Sequence, residues 1–297
     1  MRIFRSITDF IKKSRRKNAL LVPEAVEVDE NREQAIRMAR KSKIEKVRGH
    51  LKEGVPYLTK KNGVLDFLSN ELREKYSIID TENVSNHDYD QYALDIISRH
   101  ESGLVLDCGC GKRSKYYDNI INFEIVDYDT TDVIGVGEEL PFEEETFDAV
   151  LSLNVLEHVK DPFKAASEIC RVLKEGGELY CVVPHLQPVH GFPNHYYNMT
   201  AEGLRNLFHD DLEIESQKVI SSGLPIYTLT WILNSWLNDL KEPTRSKFLN
   251  LTVQDLLHPP ENYKDQNFVT QLSELKNFEL ASTTALWASK KTPRITR

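Results

Sequence analysis

Cysteine is scarce here and lacks a pairing pattern. The four present, Cys108, Cys110, Cys170 and Cys181, show neither the doubled CxxC spacing of a structural metal site nor the density of a secreted disulfide scaffold. They read as reduced thiols of a cytosolic protein. Long apolar runs are also missing: no stretch approaches the roughly 18 uninterrupted apolar residues that a spanning helix needs, and no secretory apolar region follows the first residues. Net positive charge is lacking too. The 38 basic and 46 acidic residues leave a charge of −8, which argues against an electrostatic nucleic-acid binder, because phosphate contacts need a basic stripe. Glycine and proline, at 13 and 12 of 297 residues, exclude a collagen-like fibre, and 40% hydrophobic residues exclude disorder throughout. What is there is enough chain for one large domain with extensions, or for two modest ones.

The one basic stripe is at the start. Arg2, Arg5, Lys12, Lys13, Arg15, Arg16 and Lys17 crowd a segment in which Ile3, Phe4, Ile7, Phe10 and Ile11 recur at helical spacing. Residues 1–48 therefore read as a basic, helical or partly disordered extension. A helix of this kind lies on anionic lipid or docks on its own domain, so peripheral membrane contact is an expectation. Residues 49–80 follow as a small hairpin-like subdomain, because Gly54-Val55-Pro56 and Asn62-Gly63 place turns around two short apolar runs.

From Gly103 onward, strand and helix patterns alternate, the signature of βαβ units and a mainly parallel sheet. The expected strands are Leu104–Asp107, Ile121–Ile125, Val133–Val136, Phe147–Leu153 and Glu178–Val183. Between the last two, Asp161 to Leu173 reads as a helix with Asp161 as cap and Pro162 in the first turn, broken by Gly176-Gly177. Leu212–Ile220 and Ala281–Ser289 are expected as two further strands, separated by a helical insertion at about 221–277 that would act as a cap. Residues 81–297 would make up this whole domain.

The informative run is Leu104-Val105-Leu106-Asp107-Cys108-Gly109-Cys110-Gly111, a buried strand ending in an acid and a GxG turn. Glycine there lets the backbone turn tightly and approach a ligand. A dinucleotide fingerprint needs glycine at position 114, which is serine, so NAD and FAD are disfavoured. Leu140-Pro141-Phe142, Phe147-Asp148-Ala149-Val150, Asn154-Val155-Leu156-Glu157-His158-Val159 and Arg171-Val172-Leu173-Lys174-Glu175-Gly176-Gly177 follow in order.

In order and spacing these motifs resemble the class I S-adenosylmethionine-dependent methyltransferases, in their type 11-like branch, over about Leu104 to Phe208. The resemblance implies a Rossmann-like, seven-stranded α/β sheet with helices on both faces, its last antiparallel pair supplied by Leu212–Ile220 and Ala281–Ser289. It implies S-adenosyl-L-methionine as cofactor. Asp107, Cys108, Gly109 and Gly111 would lie against its methionine part, with Asp107 available to the ammonium or to loop amides. Glu124, with Asp127 as fallback, would accept the ribose hydroxyls, since a carboxylate offers two oxygens to a vicinal diol. Glu138 would help at the adenine, and Asn154 would face the reaction centre from the carboxyl edge of the sheet. Three departures stand out: Arg113 replaces the motif's third glycine, only about two helical turns fit between Asp107 and Glu124, and Val136 stands where an acid is common. The GxPxL…GVLDFL outline of the hairpin looks like the zinc-ribbon-like modules that precede some methyltransferase domains, but its cysteines are absent, and no metal is expected.

After the fifth strand, the run from Pro184 to Thr200 holds His185, His190 and His195 with Tyr196 and Tyr197. Methyl transfer to oxygen needs a place for the hydroxyl proton, and a neutral histidine is the simplest base. His190 and His195 are the first candidates and His185 the third. Glu157 and His158 read as a pair that shapes the site. The branch resembled mostly handles small molecules, sugars and lipids, so O-methylation of a small-molecule, glycan or lipid-linked acceptor is expected. RNA or protein acceptors, or an inactive binding scaffold, are the alternatives.

Overall fold

The computed structural model describes residues 32–79, 85–191 and 194–289. The basic stripe at 1–17 lies outside these residues. Two compact units divide the chain: the first comprises residues 1–183 and 192–215, the second 184–191 and 216–297.

The first unit is built on a seven-stranded sheet with the order β1-β2-β5-β4-β3-β6-β7. Its strands are β1 (Leu58–Thr59), β2 (Leu65–Asp66), β3 (Val105–Cys108), β4 (Ile120–Glu124), β5 (Val133–Ile134), β6 (Phe147–Leu153) and β7 (Leu173–Val182). β1 runs antiparallel to β2, and every other pairing is parallel. The central strands read as continuous apolar runs because both of their faces are covered. One face packs Leu106, Ile121, Val150 and Ile169, and the other packs Val105, Ile120, Ala149 and Ile97.

Seven strands are present, but not the seven expected. Residues 213–220 and 282–289 are irregular, and the remaining two strands come from the hairpin before the domain. The reason lies in burial. Leu212 and Ile214 pack on the core, but Glu215-Ser216-Gln217-Lys218 offers no apolar face to continue the alternation. Leu286 and Trp287 are 90% and 87% exposed, and β propensity without a surface to cover does not make a strand. In contrast, Leu65 of β2 is wholly buried and registers with Val133.

Helix α1 (Arg32–Arg48) is held by a buried ion cluster. Lys43 Nζ lies 2.6 Å and Arg40 Nε 3.4 Å from the Asp132 carboxylate, which also accepts the Tyr116 hydroxyl and the Asn122 amide. Helix α2 (Asn70–Tyr76) is capped by Ser69, and α3 (Gln91–Arg99) by Asp90, whose carboxylate accepts the Ala93 amide. Helix α4 (Pro162–Val172) starts as expected: Asp161 accepts the Lys164 amide and proline occupies the first turn. Gly176-Gly177 lies within the span of β7 rather than before it. The register jumps from Phe147↔Leu173 to Ala149↔Glu178, so these residues form a bulge, with Gly176 at φ +72°. No helix forms between Asp107 and Glu124, because residues 109–119 are spent on turns. Helix α5 (Ala201–Asn206) completes this unit.

In the second unit, α6 (Pro225–Asp239) is followed by α7 (Thr244–Leu249), α8 (Asn267–Thr270) and α9 (Glu274–Leu280). Trp236 stacks on Phe248 at 5.9 Å between ring centres, and its indole N–H donates to Phe268 O at 2.6 Å. Ser235 is the single buried residue of α6. No helix of the described residues is long and apolar enough to cross a membrane.

Candidate functional site

The carboxyl ends of β3, β4 and β6 bring the first group of expected residues together, as parallel sheets do. β3 ends in Asp107 and Cys108, and the chain turns at once through Gly109 (φ +79°) and Gly111 (φ +59°), values that favour glycine. A Cβ on Gly109 would come within 2.5 Å of Val155 Cγ1, and one on Gly111 within 2.8 Å of Ser85 O. At the end of β4, Glu124 accepts the Gly111 amide at 2.7 Å and the Ile125 amide at 2.8 Å. Its carboxylate thus ties the glycine turn to the next strand. Burial pushes its pKa up, against the amide hydrogen bonds that pull it down.

Asp127 is turned to other work. It pairs with Lys60 of the hairpin at 2.9 Å. A cavity of about 160 Å³ lies beside it, lined by Ile78, Ile79, Ile125, Val126 and Ile134 and by the charged Lys60, Asp66, Arg73 and Asp127. Glu138 is buried and accepts the Lys160 amide at 3.2 Å, and burial raises its pKa. Cys108 and Cys110 are buried thiols, raised by burial and by the Asp107 charge, so neither is a nucleophile. Asn154 follows β6 in the left-handed region, φ +57°, and its amide donates to Val182 O at 2.8 Å. A non-glycine residue held there at a sheet edge is a mark of functional sites.

Asp107 departs from its expected role. Arg113 grips it with Nε on Oδ2 at 2.8 Å and Nη2 on Oδ1 at 3.0 Å, and the Tyr89 hydroxyl adds a third bond at 2.5 Å. Among the described residues no loop amide holds this carboxylate; the residue in place of the third glycine reaches back to it.

The histidine-rich run is divided between the units. His185 and His190 belong to the second, where the His190 ring packs on Trp231 at 5.1 Å and its Nδ1 lies 2.9 Å from Pro188 O. His195 belongs to the first. Its Nε2 lies 3.0 Å from Asn198 Oδ1 and 3.2 Å from Tyr197 O. His158 packs edge-on to His195 at 5.4 Å and donates from Nδ1 to Asn194 O at 2.7 Å.

Glu157 is the residue whose weight sequence reasoning underrated. Its backbone carbonyl accepts the Tyr196 and Tyr197 amides, which pins the tyrosine segment to the end of β6. Its side chain is wholly buried, and neither carboxyl oxygen has a hydrogen-bond partner among the described residues. The nearest charge partner is His158 Nε2 at 3.9 Å. Burial pushes its pKa up to about 8, so at neutral pH it is mostly a protonated acid.

A mainly parallel sheet with a glycine turn and an acid at the next strand end is a Rossmann-like α/β arrangement. The comparisons narrow this class. Residues 106–181 match the Methyltransf_11 family model, described as a methyltransferase domain. An uncharacterized protein of Methanocaldococcus jannaschii is 33% identical over 132 residues, 40% of this chain and 57% of that protein. An uncharacterized methyltransferase of Schizosaccharomyces pombe is 29% identical over 151 residues, 45% of this chain and 50% of that protein. The chain thus spans about half the length of the curated relatives it matches. Among solved structures, the Haemonchus contortus phosphoethanolamine N-methyltransferase 2, in complex with phosphomonomethylethanolamine and S-adenosylhomocysteine, aligns with a TM-score of 0.33. It is 15% identical, covering 60% of this chain and 46% of that one.

S-adenosylmethionine is the methyl donor of this domain class, and most of the residues present fit it. Glycines at 109 and 111 supply a turn without side chains, and Glu124 keeps a lone pair beyond those used by the Gly111, Ile125 and Val126 amides. Asp107 does not fit the role of ammonium partner, because all its contacts are internal.

Proposed function

We propose that this protein transfers a methyl group from S-adenosylmethionine to a hydroxyl of a small molecule, a sugar or glycan, or a lipid-linked acceptor. The observation that carries the reading is the corner where Gly111 donates to Glu124 at the carboxyl edge of a parallel sheet. There Glu124 would hold the ribose hydroxyls, and the cavity beside Ile125 would take the base. The sulfonium supplies the methyl group when the cofactor is bound. The chain's own task is to orient the acceptor and receive its proton.

For that proton, His195 and His190 are the first candidate bases, a ring nitrogen being able to accept it near neutral pH. His185 remains the third. Residues 1–17, with their cationic flank and apolar stripe, would hold the protein to anionic membrane near a lipid-linked acceptor. Liposome flotation tests this last element, and equal flotation of the full chain and of a chain lacking residues 1–17 would refute it.

Calorimetric titration with S-adenosylmethionine and S-adenosylhomocysteine tests the reading as a whole. Micromolar binding, about 8 kcal/mol, is expected for the full chain, and none for Gly109→Val, whose branched side chain meets Val155. A second reading, a methyltransferase-like binding module without catalysis, is favoured by the engagement of Asp107 with Arg113. Absence of binding to both ligands would select it.

A further inference from the structure

We infer that Arg113 takes over the counter-charge role on Asp107 that the cofactor's α-ammonium would otherwise fill, so that this site recognises adenosyl thioethers and sulfoniums with little regard to their α-amino group. The inference rests on the cofactor reading above and adds a residue that determines ligand specificity.

Asp107 is fully buried and Arg113 only 3% exposed. Three donors converge on the carboxylate: Arg113 Nη2 on Oδ1, and Arg113 Nε with the Tyr89 hydroxyl on Oδ2. A bidentate guanidinium satisfies a carboxylate in both charge and geometry. With its charge already met by Arg113 and its side chain fully buried, the carboxylate offers an incoming ammonium little further attraction, and drawing it away would leave a buried guanidinium without its counter-charge, which is strongly unfavourable.

Arg113 is also held from elsewhere. Its Nη1 donates to His87 O at 2.7 Å, its guanidinium lies 4.2 Å from the centre of the Tyr89 ring, and its amide donates to Thr130 Oγ1 at 3.1 Å. Residues on either side are tied to the same strap, Lys112 N to Ser85 O at 2.7 Å and the Ser114 hydroxyl to Asp88. The exchange of glycine for arginine at 113 is thus compensated at every contact it creates. A site that had merely lost its ligand would have no need for so complete a replacement.

The test compares two ligands on the full-length protein by calorimetry: S-adenosylhomocysteine, and its des-amino analogue in which hydrogen replaces the α-amino group. The unmodified protein should bind both within about threefold. Arg113→Gly, which frees Asp107, should favour S-adenosylhomocysteine by about tenfold or more, as expected for a hydrogen bond between charged groups. The double variant Asp107→Asn with Arg113→Gln, neutral throughout, should return the ratio to within threefold. A tenfold or greater preference for S-adenosylhomocysteine in the unmodified protein overturns the inference, and so does an unchanged ratio in a folded Arg113→Gly protein. Should Arg113→Gly fail to fold, the ratio measured on the unmodified protein decides alone. If neither ligand binds that protein, the cofactor reading itself falls and takes this inference with it, an outcome distinct from binding with the wrong ratio.

Discussion

Glu157 sets the sharpest expectation at the scale of single residues. Its folded pKa of about 8 stands well above the ordinary carboxylate value of 4.5. Below pH 4.5 it is protonated whether folded or unfolded and has no effect on stability. Between about 4.5 and 8 the unfolded chain releases the proton while the folded chain keeps it, so stability falls as pH rises through this window. The full effect is on the order of 5 kcal/mol above pH 8. Glu157→Gln should remove this slope and raise the urea midpoint at pH 8 relative to the unmodified protein. Equal slopes for the two proteins would mean that the carboxyl is solvated or paired. Gly109→Ala tests the turn beside it. A Cβ there meets Val155 at 2.5 Å with φ at +79°, so a loss of about 1–3 kcal/mol is expected in chemical denaturation. Asp107, Glu124, Gly109 and Gly111 were legible because their motif is local in sequence. The capture of Asp107 by Arg113 was not, since it depends on where a side chain six residues on turns back, and the isolation of the Glu157 carboxyl depends on packing from two strands.

At the scale of elements, five strands and helix α4 follow from local pattern: apolar runs bounded by turns, and an Asp161-Pro162 start. The edges of the sheet do not. Leu212–Ile220 loses its apolar alternation at Glu215-Ser216-Gln217-Lys218, whereas Leu65 is buried and paired with Val133 of β5, and that distant pairing is a property of topology rather than of the segment. Helix α1 is another case. Beside the buried Ile36, Ile44 and Val47, the same face buries Lys43 and Arg40 around Asp132, and no apolar pattern announces those two charges. Removing the shared partner in Asp132→Ala leaves two buried cations uncompensated and should cost about 3–5 kcal/mol. Lys43→Met, which exchanges one cation for an apolar chain of similar length, should cost much less. Thermal or urea denaturation of the two variants checks the order, and a larger loss for Lys43→Met would show that α1 is held by the lysine's bond to Ile120 O rather than by Asp132.

For the whole molecule, the division into two units decides how a ligand should be felt. Gly109, Gly111, Glu124 and Asn154 all belong to the first unit, together with the β3–β4 pairing that carries them. A ligand bound there stabilises that unit by mass action, about 2.7 kcal/mol at a hundredfold excess over its dissociation constant. Hydrogen exchange under saturating S-adenosylhomocysteine should therefore slow at residues 105–112 and 120–126, where the glycine turn and the Glu124 amide bonds would be ordered further. Helix α6 in the second unit should exchange at its ligand-free rate, because no residue of the expected cofactor set lies in it. Slowing in α6 as well would mean that the second unit responds to the cofactor, and would move His185 and His190 ahead of His195 as candidates for the base. Unchanged exchange in both units, alongside measurable binding, would place the ligand away from the β3–β4 corner and refute the site itself.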